Sequence, residues 1–241
     1  MITMAKKIAI KGDVVDDETA AFYSFFDIPA VSPSQVADVL NDTDDDDDED
    51  DDVEVNIASN GGDVFAASEI YTLLKDYSGN ITVNIQGLAA SAASVIAMAG
   101  DQVNISPTAQ IMIHKAWGNV SGNSDVMKHR ANILSGIDES IANAYEGKTG
   151  MKQADLLNLM GQETWLTAQE AVDKGFADEI MFVDQNKPQA INSVSHIPSK
   201  EAVNKLFNLI SKANYKKAQG QPKDSLKDRK LAILLDKGVN K

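Results

Sequence analysis

The chain has 241 residues, of which 43% are hydrophobic and 24% are charged, and it contains no cysteine. This length and composition predict one sizeable folded domain, alone or with an appendage, and exclude wholesale disorder. The lack of cysteine excludes disulfides, thiolate zinc sites and a cysteine nucleophile, and the sequence holds no apolar stretch long enough to cross a membrane.

The formal net charge of −14 is distributed unevenly along the chain. Residues 1–185 contain ten Lys and Arg against thirty-two Asp and Glu, whereas residues 186–241 contain twelve against four. An acidic body repels phosphates, so a nucleic-acid groove is not expected there. We predict a folded body over 1–189 and a basic, partly helical extension over 190–241, for which polyanion binding is an alternative. The first residues lack the apolar run of a signal peptide, so the expected compartment is the cytoplasm.

Periodic apolar residues and turn signals predict the elements in chain order. A short strand at 7–11 precedes a helix at 16–27, whose expected apolar face includes Phe22, Phe25 and Phe26. A second helix begins at Ser32, with Pro33 at the first helical position and a glutamine at the third.

An acidic insertion over 42–52 follows this second helix and contains nine uninterrupted acids, Asp44 to Asp52. Like charges at successive positions repel one another and bury nothing, so the insertion is predicted to be an exposed loop. A divalent-cation site in the same loop is the alternative.

Strand and helix patterns alternate along the rest of the body. Strands are predicted at 53–58, 81–85, 102–105, 110–113 and 177–183, and helices at 64–75, 92–99, 124–148, 150–160 and 167–174. Repeated strand–turn–helix units imply an α/β fold with parallel strands and right-handed crossovers. Chemistry in such a fold is expected in the loops at the carboxyl ends of the strands, and 59–62 and 87–91 there are rich in small residues.

Two side chains at strand ends could carry chemistry. His114 ends the strand at 110–113, whereas His129 lies in the long predicted helix and His196 in a proline-flanked segment, where surface roles are expected. Ser91 begins a helix of small residues, where its hydroxyl could cap the helix or act as a nucleophile beside backbone N–H groups. These residues alone leave both interpretations of Ser91 open.

Four segments resemble the Clp protease proteolytic subunit, ClpP, in order and spacing. They are IASNGGDVFAASEIYTLL, GLAASAASVIAMAG, IMIHKAWG and ETWLTAQEAVDKGFADEI, and the similarity covers about residues 7–183. The chain is similar in its variant features to the ClpP-like proteases of phage and prophage capsid gene clusters. The resemblance implies a crotonase-like ClpP fold of repeated ββα units with a protruding handle helix at 124–148.

Matching the family's motifs position by position implies a set of catalytic residues. Ser91 matches the nucleophile and His114 the general base, and the oxyanion donors fall on the backbone N–H groups of Gly62 and Ala92. Glu163 stands where the family usually has the third, aspartate member of the triad. Asp138 and Asp155 are less favoured substitutes for it. Asn60 replaces a usual proline, with little expected effect because the glycines remain.

The resemblance implies a serine endopeptidase in heptameric rings that hydrolyses peptides or unfolded proteins without metal or organic cofactor. The resemblance implies a Clp-type ATPase or capsid proteins as partners. Because the sequence has no nucleotide-binding motif of its own, any ATP dependence is expected to come from a partner. Capsid maturation is one expected task. Two alternatives stay open: an acyl-CoA enzyme of the crotonase type, and a catalytically inactive ring or scaffold protein.

Overall fold

A computed structural model describes residues 5–42 and 52–183. The strands are Lys6–Val14 (β1), Ala30–Val31 (β2), Val53–Gly62 (β3), Ile81–Ala90 (β4), Gln102–Ile105 (β5), Gln110–Ile113 (β6), Thr164–Thr167 (β7) and Glu179–Ile180 (β8). The helices are Asp17–Phe25 (α1), Pro33–Asn41 (α2), Val64–Asp76 (α3), Ala92–Ala97 (α4), Ser124–Thr149 (α5), Gln153–Gly161 (α6) and Ala168–Asp173 (α7).

The strands form one sheet in the order β2-β1-β3-β4-β5-β8, and every neighbouring pair in this path is parallel. Two strands pair with the long strand β4 along the same edge: β5 pairs with residues 82–85 and β6 with residues 88–90. The remaining strand, β7, pairs antiparallel with β6. The predicted α/β fold with parallel strands is therefore confirmed.

Residues alternate between a buried and a polar face along the central strands. On β3, Val53, Val55 and Ile57 are buried and pack with the helices in the core. The opposite face carries an amide and carboxylate ladder in which Glu54 Oε1 accepts hydrogen bonds from Asn56 Nδ2 and Asn84 Nδ2 at 3.0 and 3.1 Å. Helices therefore cover one face of this sheet, which explains the period-two pattern of its strands.

The apolar face predicted for the first helix is present but exposed. Phe22, Phe25 and Phe26 are 61%, 83% and 54% exposed, and the buried residue of this helix is Ala20. The three rings pack on one another, with centroids 5.0 Å apart for Phe22 and Phe26 and 5.1 Å for Phe25 and Phe26. Apolar residues at helical spacing show that a helix has such a face, but not that the chain's own core covers it.

Several element bounds also differ from the predictions. The strands β3 and β4 continue through 59–62 and 87–90, which lie in predicted loops, and the predicted strand at 177–183 is reduced to Glu179–Ile180. The N-cap of α5 is Asn123, whose side chain accepts from the N–H groups of two first-turn residues. Residues 43–51 of the acidic insertion at 42–52, and the whole extension 190–241, lie outside the described residues.

Candidate active site

Ser91 occupies a sharp turn between β4 and α4. Its backbone has φ 53° and ψ −124°, a region that costs a non-glycine residue energy and persists only when neighbouring structure enforces it. The Ser91 N–H donates to the carbonyl oxygen of Met112 at 2.9 Å, which ties this turn to β6. The hydroxyl makes no capping bond to α4, so the helix-cap interpretation of Ser91 is wrong.

His114 lies directly after β6 and faces the serine. Because β6 runs parallel to the end of β4, with Ala90 opposite Met112, both side chains emerge at the same edge of the sheet. The Nε2 atom of His114 lies 2.6 Å from Ser91 Oγ. This is the arrangement in which an imidazole can accept the hydroxyl proton of a serine nucleophile.

The end of β3 brings two glycines against the Ser91 turn. Gly62 has φ 152°, and a Cβ there would lie 2.1 Å from the carbonyl oxygen of Val14, so only glycine allows this approach of β3 to β1. The Ser59 hydroxyl donates to the Gly12 carbonyl at 2.6 Å and accepts from the Gly61 N–H at 3.0 Å. These bonds hold the strand end in place beside the serine.

Ala92 is the first residue of α4, so its N–H has no acceptor within that helix. It lines the same cavity as Gly62, Ser91 and His114. The two backbone positions expected as oxyanion donors are thus gathered around the serine.

The side chains of Ser94 and Tyr145 form a buried polar pair beside the serine turn. Ser94 Oγ donates to the Ser91 carbonyl oxygen at 2.6 Å and lies 2.8 Å from the hydroxyl of Tyr145, which comes from α5. Burial raises the pKa of Tyr145 well above its usual range, so this phenol stays neutral. Sequence reasoning missed this pair, since a serine and a tyrosine in two separate helices show no local signal.

The structure does not join Glu163 to His114 through their side chains. Within the described residues, the Glu163 carboxylate accepts a hydrogen bond from Trp165 Nε1 at 3.4 Å and makes neither a hydrogen bond nor an ion pair with His114. Glu163 lies in a turn with φ 51° directly before β7, and Thr164, the first residue of that strand, pairs with Ile113, the residue before His114.

The other candidate carboxylates have different surroundings. Asp138 is buried on α5, where its Oδ1 accepts from the N–H of Ala116 at 2.8 Å and so anchors the loop that follows His114. Asp155 lies in the first turn of α6 and does not line the serine cavity. His129 is an exposed residue of α5, as expected, and His196 lies outside the described residues.

A cavity of about 230 Å³ opens between α4, α5 and the loop after His114. Its lining combines the serine, the histidine and the backbone donors with apolar and aromatic side chains: Val64, Phe65, Val95, Trp117, Leu134, Ile137 and Ile141.

Within residues 5–42 and 52–183, no group of three or more His, Asp or Glu side chains could hold a metal ion. Over the same residues, no helix is long and apolar enough to cross a membrane.

Comparison with solved structures finds the same architecture in a ClpP protein. A ClpP1 variant from Listeria monocytogenes aligns with a TM-score of 0.58 over 73% of this chain and 91% of the other, at 22% sequence identity. At this identity the likeness establishes the fold, which is that of ClpP.

Sequence comparison finds proteolytic subunits of Clp proteases. An ATP-dependent Clp protease proteolytic subunit 1 from Leifsonia xyli is 31% identical over 127 residues, which is 52% of this chain and 64% of that protein. An ATP-dependent Clp protease proteolytic subunit from Deinococcus radiodurans is 26% identical over 137 residues, 56% of this chain and 66% of that protein. The matched region thus spans slightly less than two thirds of each relative.

The sequence model of the Clp protease family matches residues 35–184. This match covers more than half of the chain and contains Ser91, His114 and Glu163. The chain therefore belongs to the Clp protease family.

Proposed function

We propose that this protein is a serine endopeptidase that cleaves peptide bonds in peptides or unfolded proteins. The observation that carries the proposal is the 2.6 Å contact between His114 Nε2 and Ser91 Oγ at a strained turn. A serine held in this way gains a base for its proton, and the small residues around it leave room for an acyl group.

The proposed reaction begins when His114 Nε2 takes the proton from Ser91 Oγ. The oxygen then attacks the scissile carbonyl carbon, and the negative charge that develops on the carbonyl oxygen is stabilised by the N–H groups of Gly62 and Ala92. His114 returns the proton to the leaving amine, which departs as the C–N bond breaks. Water then repeats these steps on the acyl-enzyme, releasing the carboxylic acid product and free Ser91.

We assign the third catalytic position to Glu163. A carboxylate there would hold the ring of His114 and stabilise its protonated form. The pairing of Ile113 with Thr164 supports this assignment, because His114 directly follows Ile113 and Glu163 directly precedes Thr164. To reach the imidazole, the Glu163 side chain has to leave the indole N–H of Trp165 and rotate towards His114.

Assembly into rings is the second part of the proposal. Along α5 the buried residues begin at Asp138, and the first half of the helix leaves Val126, Met127 and Ile133 between 38% and 49% exposed. Apolar side chains on an exposed helix suit an interface with another copy of the chain. Heptameric rings, a partner ATPase and a task in capsid maturation stay predictions from the resemblance.

Covalent labelling with a fluorophosphonate tests the proposed chemistry. Intact-mass analysis should show one adduct on the wild-type protein and none on Ser91→Ala, with labelling of His114→Ala slowed by roughly 10³-fold or more. Ser94→Ala keeps the Ser91 hydroxyl but removes the hydrogen bond to the Ser91 carbonyl oxygen. It therefore measures how much labelling is lost when only the support of the turn is removed. An assembled wild-type protein that resists labelling would contradict the proposal and favour the inactive scaffold.

A further inference from the structure

We infer that Arg130 is a specificity-determining residue that selects peptides with an acidic side chain near the cleaved bond. The inference rests on the proposed peptidase function and adds a substrate class to it. Arg130 lies on α5 and lines the cavity that contains Ser91 and His114. Its guanidinium stays charged at every physiological pH.

Arg130 continues a stripe of cavity-lining residues along one face of α5. Leu134, Ile137 and Ile141 follow it at intervals of four, three and four residues, the spacing of a single helical face. The wall that α5 contributes is therefore apolar over most of its length and cationic at the end nearest the start of the helix, whereas Asp63 lines the cavity from the start of α3. Seven residues separate Arg130 from Ile137, which is about 10 Å along a helix.

No carboxylate in the described part of the chain neutralises Arg130. The ion pairs over residues 5–42 and 52–183 are Lys7 with Glu54 and Lys148 with Asp178. Asp63, which lines the same cavity, and Asp138 on α5 are hydrogen-bonded to backbone donors instead. Asp63 accepts from the first-turn N–H groups of α3, and Asp138 accepts from the N–H of Ala116.

The guanidinium also lies at a defined place in the cavity. Its Nη2 atom would lie 3.4 Å from a Cβ at Gly118, so the group rests against the loop that follows His114. A peptide that lies along this wall of the cavity has the arginine about 10 Å from Ile137. An extended peptide covers that distance in about three residues. The expected substrate thus has an apolar side chain at the apolar stripe and an aspartate or glutamate about three positions from it.

Internally quenched peptides with one leucine and one glutamate test this inference. The glutamate is placed one to four residues from the leucine on either side, and each peptide has a glutamine counterpart. Wild-type protein should cleave the best glutamate peptide with a kcat/KM about fivefold to tenfold above its counterpart. The ratio should fall at about 0.5 M salt because added ions screen the attraction.

Variants of α5 identify the residue responsible. Arg130→Gln should bring the glutamate-to-glutamine ratio to about one, and Arg130→Glu should invert it. Lys128→Gln removes a nearby exposed cation of the same helix that does not line the cavity, and should retain the wild-type ratio. Equal cleavage of both series by the wild type overturns the inference. An Arg130→Gln protein that keeps the preference for glutamate also overturns the inference. If Arg130→Gln changes only the sedimentation of the protein, the inference is likewise overturned, and Arg130 belongs to an interface between copies of the chain.

A binding measurement separates this inference from the proposed chemistry. Fluorescence anisotropy of the same peptides on Ser91→Ala and on Ser91→Ala with Arg130→Gln requires no catalysis. Tighter binding of the glutamate peptide, lost with Arg130→Gln, supports acidic-peptide recognition even where fluorophosphonate fails to label the wild type. Labelling and cleavage without any glutamate preference support the peptidase and overturn the role of Arg130.

Discussion

Gly61 lies directly against Ser91: a Cβ atom at Gly61 would be 2.8 Å from Ser91 Cβ and 2.6 Å from the carbonyl oxygen of Ala90. Gly61 also has φ 96°, a region that other residues rarely adopt. The absence of a side chain at this position therefore lets β3 support the serine turn.

Gly61→Ala should displace that turn and remove most of the activity. We expect the rate of fluorophosphonate labelling to fall at least 10²-fold and the free energy of unfolding to drop by about 1–3 kcal/mol, because the backbone must shift and adopt a strained φ. Labelling kinetics and denaturant unfolding measure the two effects. Gly87→Ala is the matched control, since a Cβ at Gly87 meets nothing within 4 Å. Equal effects of the two substitutions would contradict the packing argument.

Ser59→Ala should destabilise the same strand end through lost hydrogen bonds. The buried Ser59 hydroxyl bridges the Gly12 carbonyl and the Gly61 N–H, so its removal leaves both groups without their partner. Each unpaired buried group costs about 1–3 kcal/mol. We expect an unfolding free energy lower by that order, together with slower labelling of Ser91.

The control for Ser59 is Ser68→Ala, which removes an exposed hydroxyl that bonds within its own helix. Its unfolding free energy should stay within about 0.5 kcal/mol of the wild type. A Ser59→Ala protein that is as stable as Ser68→Ala would show that the bridge contributes nothing.

Glu163→Gln should lower kcat by roughly 10²–10⁴-fold with little change in stability, because an amide cannot stabilise the protonated form of His114. Steady-state cleavage of a peptide measures the loss. Trp165→Phe removes the indole N–H that contacts Glu163 while keeping an aromatic ring, so its activity should equal or exceed that of the wild type.

Asp138→Asn distinguishes the competing carboxylate. An asparagine can still accept the hydrogen bond from the Ala116 N–H, so this substitution removes the charge and preserves the loop anchor. Near-normal kcat is expected. If Asp138→Asn is inactive while Glu163→Gln is not, the third position belongs to Asp138 instead.

Tyr145 should make stability fall with pH in the alkaline range. Burial raises its pKa in the folded state, whereas the unfolded chain loses the phenolic proton above about pH 10. The stabilising effect of the neutral phenol is complete below pH 10. Above it, the contribution of Tyr145 falls by about 1.4 kcal/mol per pH unit until the folded pKa is reached.

Denaturant unfolding of wild type and Tyr145→Phe between about pH 8 and pH 11.5 measures this effect. The variant should be less stable by about 1–2 kcal/mol at pH 8, because Ser94 loses one hydrogen-bond partner. Its stability should decline less steeply above pH 10, so the two curves approach one another. Parallel curves over the whole range would show that Tyr145 does not titrate differently in the folded and unfolded states.

The sequence predicted those features that depend on local pattern. The predicted start of α2 at Pro33 is confirmed, and Gln35 Oε1 accepts a hydrogen bond from the Ser32 N–H at 3.2 Å. This start was predictable because a capping box depends only on residues that are close together in the sequence. The parallel α/β arrangement is confirmed for a similar reason, since alternating strand and helix patterns leave few topologies.

Features that depend on distant neighbours were not predictable in this way. The strand β7 has only four residues, and it forms because β6 offers an edge to pair with. The bond between Ser94 and Tyr145 joins positions 51 residues apart, and the exposure of Phe25 depends on what packs beside α1. The position of the Glu163 carboxylate likewise follows from a contact with Trp165 that no spacing rule gives.

The antiparallel pairing of β6 with β7 has a consequence for how the parts of the proposed site depend on one another. The contact between Ser91 and His114 joins residues 23 positions apart and involves only β4, β6 and the turns that follow them. Glu163 comes near these residues only through the pairing of Thr164 with Ile113. A substitution that weakens this pairing should therefore separate Glu163 from His114 while leaving the contact between Ser91 and His114 in place.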